Sequence, residues 1–129
     1  MRTTDWYKSK LTDYIYETYP DHVDKSEWFV NPAPNQFKGY FPELRKLITF
    51  TCGEDGTITE EKRLLVNDPE LLHEVVAGCS RGMDAVYEDY VIELIGREGF
   101  DILRNHKLLE SCGSIGGRNL YTVAEQYVE

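Results

Sequence analysis

The chain has 129 residues, 41% of them hydrophobic and 12% aromatic, and it carries a net charge of −9 at neutral pH. That is enough for one ordinary hydrophobic core but short of two comfortable ones, and far too apolar for a disordered acidic tail, so a single folded domain over residues 1–129 is expected. An acidic surface disfavours free nucleic acid and anionic lipid as partners.

No run approaches the roughly 18 consecutive apolar residues of a membrane span, and the first residues lack the apolar core of a signal peptide. Cys52, Cys79 and Cys112 are an odd set at wide spacing, as expected of reduced, mostly buried thiols. The expectation is a cytoplasmic protein without membrane contact.

In chain order, Thr4 is positioned to cap a first helix, with Asp5 at the positive end of its dipole and Tyr7, Leu11, Tyr14, Ile15 and Thr18 recurring at helical steps. Pro20 marks its end. Residues 21–44 interleave Trp28, Phe29, Phe37, Tyr40 and Phe41 with Pro32, Pro34, Gly39 and Pro42, which reads as an aromatic loop. Whether that segment is core, pocket or partner-facing surface is open in the sequence.

The run from Leu47 to Cys52, an Asp55-Gly56 turn and the β-branched residues Thr57 to Thr59 predict a hairpin, with Glu60 to Arg63 as strand or excursion. Asp68, Pro69 and Glu70 open a second helix with Leu71, Leu72, Val75, Val76 and Cys79 as its buried stripe. Met83, Val86, Tyr87, Tyr90, Val91, Leu94 and Ile95 then follow the helical period without a miss, predicting a helix from Met83 to Ile95. Gly96 and Gly99 interrupt it before a short helix to about His106. Residues 108–112 and 118–123, joined by the glycine-rich segment 113–117, predict a second hairpin. The sum is an α+β fold of four to five helices and two hairpins.

Charge is unevenly distributed. Residues 67–101 hold nine Asp or Glu and two Arg, a net of −7. Within them Asp84, Glu88, Asp89 and Glu93 share one face of the predicted helix, spread over about 13.5 Å of axis, with no Lys or Arg between them. That density is close to the roughly 3.4 Å phosphate spacing of one DNA strand. Like charges four apart cost a helix roughly what a Glu–Lys pair contributes, about 0.2–0.5 kcal/mol. The repeated penalty marks these four carboxylates as candidate partner-binding residues, whereas Asp68 and Glu70 are explained as helix-start residues.

From Gly99 through Phe100, Ile102, Leu103, Leu108, Leu109 and Glu110, past the glycine turn, to Arg118, Tyr121 and Val123, the chain resembles the last helix and wing of a winged-helix domain. The resemblance covers about residues 68–123. It implies a recognition helix near 98–106, and there Glu98 and Asp101 offset Arg97, Arg104 and Lys107, so the segment supplies few phosphate contacts.

Motifs for chemistry are weaker. His73-Glu74 begins like a zinc-protease helix, but the second His it needs is Ala77. Residues 113–117 match neither a nucleophile elbow nor a phosphate loop. No catalytic residue, metal site or cofactor is therefore assigned. The leading expectation is a non-enzymatic, acidic protein-binding module that meets the basic surface of a nucleic-acid-binding protein. In composition it resembles inhibitors that bacteriophages and mobile elements direct against host CRISPR or restriction systems. The alternatives are a winged-helix regulator using Arg104, Lys107 and Arg118 on phosphates, and a small enzyme or ligand-binding protein with a pocket under residues 28–41.

Overall fold

In the computed structural model, which describes residues 2–80, 83 and 85–127, the chain is α+β, with antiparallel strands in two sheets. Where the sequence reading treats the chain as one domain, its contacts divide it into two compact units, Met1–Leu64 and Leu65–Glu129.

In the N-terminal unit α1 (Thr4–Thr18) is capped by Thr3, whose hydroxyl oxygen accepts the Trp6 amide at 3.2 Å, one residue earlier than the sequence predicts. Its periodic face buries Tyr7, Leu11 and Ile15 against Phe41, Ile48, Phe50 and Cys52 of the sheet. That sheet is a meander of β1 (Glu27–Trp28), β2 (Gln36–Phe41), β3 (Lys46–Cys52) and β4 (Ile58–Leu64), paired in chain order. Residues 60–63, ambiguous by sequence, are strand throughout.

The predicted aromatic loop is corrected by β1 and β2. Strand alternation there is interrupted by Gly39, which reads as a breaker but is a packing device. A Cβ at that position would stand 2.7 Å from the Trp28 ring, so only glycine lets the indole lie on the strand. Trp28 in turn meets Phe37, Phe41 and Phe50 at centroid distances of 6.1, 5.7 and 6.1 Å. The contacts with Phe37 and Phe41 are edge-on and that with Phe50 is tilted; edge-on pairs add about 0.5–1.5 kcal/mol each beyond area burial.

Glu60 fastens helix to sheet. It sits on β4 with its side chain 13% exposed and accepts hydrogen bonds from the hydroxyls of Tyr14 and Tyr19. Burial works against its charge, but the two phenols and the Lys62 ammonium outweigh it and hold the carboxyl below the usual range. The same arrangement pushes both phenols up: Tyr14 chiefly through its hydrogen bond to Glu60, Tyr19 chiefly through burial.

In the C-terminal unit α2 (Pro69–Cys79) has proline in its first turn and buries Leu71, Leu72, Val75, Val76 and Cys79, as its spacing predicts. Asp68 occupies the cap position without a side-chain hydrogen bond there, so its contribution is the charge alone. His73 is buried as well and donates from Nε2 to the Ala124 carbonyl at 2.6 Å, tying α2 to the chain after the last strand.

The helix predicted from Met83 starts at Glu88 instead. Val86–Tyr87 forms β5, paired with β7 through Val86↔Tyr121 and Tyr87↔Leu120, and this tertiary pairing overrides a helical periodicity that runs through both residues. From Glu88 to Asn105, α3 is two helical segments joined across Gly96, whose φ of 84° and ψ of 165° no helix accommodates. The expected count of four to five helices gives way to three α-helices, the third kinked, and one short 3-10 turn among the described residues. Gly99 lies within the second segment, where a Cβ would come within 3.2 Å of Leu72 and Ile95, so glycine sets the close approach of α2 and α3.

The second expected hairpin is present as β6 (Leu109–Ile115) and β7 (Arg118–Val123), in a sheet ordered β5-β7-β6. Gly116 and Gly117, at φ of 59° and 80°, make its two-residue turn, narrower than the predicted glycine segment. Among the described residues no helix is long and apolar enough to cross a membrane.

Candidate binding face of the C-terminal unit

Of the four carboxylates singled out in the sequence, Glu88, Asp89 and Glu93 lie on α3. Asp84 lies outside the described residues. Glu88 and Asp89 are the first two residues of α3, where the helix dipole favours a negative charge. They are therefore helix-start residues in the same sense as Asp68 and Glu70, which supplies a local reason for their acidity. Glu93 stands exposed one turn further on.

Asp89 also has a cation that its own helix could not show. Arg118, 29 residues away at the start of β7, donates to it through one edge of its guanidinium, Nε to Oδ2 at 3.1 Å and an Nη to Oδ1 at 2.8 Å. This fork geometry is the strongest an Arg–carboxylate pair adopts. The guanidinium carbon stands 3.6 Å from the centre of the Tyr87 ring, so Tyr87 from β5 and Asp89 from α3 together fix this arginine of the β6–β7 hairpin. The hydrogen bonds from Arg118 hold the Asp89 carboxyl below its usual range despite partial desolvation, and Asp89 reciprocally raises the guanidinium. Asn119 completes the cluster by donating to Glu88 at 3.3 Å. The assumption of an unpaired Asp89 is thus corrected by a contact between elements.

The helical segment entering the hairpin carries Arg97, Arg104 and Lys107. Arg97 pairs with Asp101 one turn on, Nε to Oδ1 at 3.7 Å, and lies over Phe100. Arg104 lies over Phe100 and Tyr121 at 5.7 Å from each ring centre. Lys107 follows the helix in a left-handed conformation, φ 59°, within a Schellman-type ending in which the Leu108 amide donates to the Leu103 carbonyl at 2.9 Å. Beyond it the hairpin projects: every residue from Glu110 to Asn119 is exposed, and Ile115 near its tip is 61% exposed.

No family model matches the chain, and no curated protein or solved structure matches it.

Proposed function

We propose that the protein is a non-enzymatic binding protein whose C-terminal unit is a winged-helix module turned to protein contacts, with a basic surface as its partner. A helix ending at Asn105 that leads straight into an exposed, glycine-turned hairpin supports the winged-helix reading. The observation that carries the choice of partner is the fixation of Arg118. The cation on the wing is already engaged by Asp89 and Tyr87, which leaves Arg104 and Lys107 as the phosphate-directed charges of this face. Two phosphate contacts are few beside the roughly 6–10 that dominate affinity in DNA-binding proteins, and residues 65–129 carry twelve Asp and Glu against five Lys and Arg.

In its narrowest form the partner is a nucleic-acid-handling protein whose groove the acidic face occupies, as a phage-type inhibitor of a host defence system would. Pairing of Asp89 shortens the row available for that task to Glu88 and Glu93 among the described residues.

Affinity capture from host cells with the wild type and with a Glu88→Lys, Glu93→Lys double variant tests the proposal. It expects basic proteins retained by the first and lost by the second. Retention of the same partners by both would remove the acidic face from the interface.

A further inference from the structure

The sheet of the N-terminal unit ends in two unlike edges. On one side β1 is 2 residues long, whereas on the other β4 runs for 7, from Ile58 to Leu64. Among the described residues no strand pairs with the outer side of β4. An edge of that length is a template for another strand unless it is covered or guarded by charge. Charge is present on β4, and its order matters.

Register decides which groups the edge offers. The Gly53 amide donates to the Thr57 carbonyl at 2.9 Å, and on the other side of β3 the Cys52 amide donates to the Asn35 carbonyl at 2.9 Å. Antiparallel alternation from these two bonds turns the backbone groups of Thr59, Glu61 and Arg63 toward β3 and those of Ile58, Glu60, Lys62 and Leu64 outward. Side chains alternate as well. Glu60 faces α1, where it accepts from Tyr14 and Tyr19, and the Lys62 ammonium stands 3.6 Å from it on the same face. Ile58 and Leu64 share that face, and Thr59, Glu61 and Arg63 occupy the other. Thr59 and every residue from Glu61 to Leu64 are exposed.

We propose that β4 pairs antiparallel with β4 of a second copy of this chain, about a two-fold axis at Glu61, so that one sheet runs through a dimer. Glu60, Glu61, Lys62 and Arg63 sum to zero in a chain of net charge −9, with both acids ahead of both bases. Reversed against itself about Glu61, the strand sets Glu60 opposite Lys62, Ile58 opposite Leu64 and Thr59 opposite Arg63, each twice. Glu61 meets its own copy at the axis with an Arg63 diagonal to each, so that row also sums to zero. A parallel pairing in register would set every charge against its like. A foreign strand would need the complementary order, which this strand supplies itself, and the two-fold contact is closed. A strand pair of this length is small beside the roughly 1,200–2,000 Å2 of stable complexes, so dimer is expected at about 0.1–1 mM protein. The contact involves the N-terminal unit and this chain alone, so its failure and that of the C-terminal reading are separate results.

Sedimentation equilibrium of the whole protein up to millimolar concentration tests the pairing. The wild type is expected to show a monomer–dimer equilibrium, and Lys62→Glu, which sets an acid against Glu60, to associate about tenfold more weakly. Lys62→Pro removes an outward amide and no bond to β3, and should abolish the dimer. Register is read by cross-linking in a Cys112→Ser background, since Cys52 and Cys79 are buried. Glu61→Cys is expected to form an intermolecular disulfide on oxidation, because a non-hydrogen-bonded pair at the axis has Cα atoms about 4.5 Å apart. Thr59→Cys should not, its two copies standing about 14 Å apart along the strands. The proposal is overturned if the wild type stays monomeric at millimolar concentration, if Thr59→Cys cross-links as fast as Glu61→Cys, or if Lys62→Glu associates as the wild type does. Undiminished association of a Lys62→Pro variant that circular dichroism shows to be folded overturns it equally.

Discussion

Eleven of the sixteen aromatic residues lie in residues 1–64 and five in residues 65–129, while the net charges of the two units are −2 and −7. The N-terminal unit builds its core from Trp28, Phe37, Phe41 and Phe50 beneath one helix, and closes it with a partly buried carboxylate between two tyrosines. The C-terminal unit packs Leu72, Val75, Val76, Val91, Leu94 and Leu103 around Phe100 and Tyr121, and sends a hairpin out into solvent. The difference lies in where charge is spent. In the N-terminal unit Glu60 is held largely inside as a fastener, whereas in the C-terminal unit Asp89 and Arg118 meet on the surface and tie the start of β7 to the start of α3.

The comparison breaks most visibly at the cores. Phe50→Ala and Phe100→Ala should each cost about 3–5 kcal/mol in denaturant unfolding, since both rings are fully buried. Near-ultraviolet dichroism should fall much further for Phe50→Ala, because that ring contacts Tyr14, Tyr19, Trp28 and Phe41. Equal loss of the aromatic signal in both variants would contradict the contrast.

Next comes Glu60→Gln, expected to cost about 2 kcal/mol because hydrogen bonds to a charged, mostly buried acceptor are lost. A carboxyl held below its unfolded pKa of roughly 4.3 stabilises the fold above that value, and the stabilisation disappears as pH falls through the folded value. The wild type should therefore lose stability on acidification more steeply than Glu60→Gln, as read by melting midpoints across the acid range.

Two backbone changes should act in opposite directions in the C-terminal unit. Gly96→Ala forces a side chain into positive φ at the α3 kink and should destabilise by about 1–2 kcal/mol. Lys107→Gly relieves the left-handed lysine and should stabilise by about 0.5–1 kcal/mol. The smallest expected effect on folding is that of Asp89→Asn. Its pair with Arg118 is solvent-exposed and screened, so the melting midpoint should hardly move while the arginine loses its carboxylate partner.

The elements legible in the sequence are those whose reasons are local. The α1 and α2 stripes, the Asp55-Gly56 hairpin and the glycine-turned β6–β7 hairpin rest on periodicity and turn chemistry within a few residues. The strands β1 and β2 were hidden because Gly39 answers to Trp28, eleven residues away, and not to its own neighbours. The start of α3 was misplaced because Val86 and Tyr87 pair with a strand more than thirty residues later. The pairing of Asp89 is hidden for the same reason. Four carboxylates on a helical period read as an unpaired row, yet the partner of Asp89 enters from β7, and no spacing rule along one helix reports it.

The central claim is that the C-terminal unit addresses a basic protein surface and not DNA. A gel shift with random duplex DNA at low salt reads it most directly, with the wild type beside Asp89→Asn and an Arg104→Ala, Lys107→Ala variant. The account predicts no complex at micromolar wild-type protein and at most a weak gain when Asp89→Asn frees Arg118. A robust, salt-sensitive complex with the wild type that is lost on removing Arg104 and Lys107 would contradict it and establish the end of α3 and the hairpin after it as a DNA-binding surface.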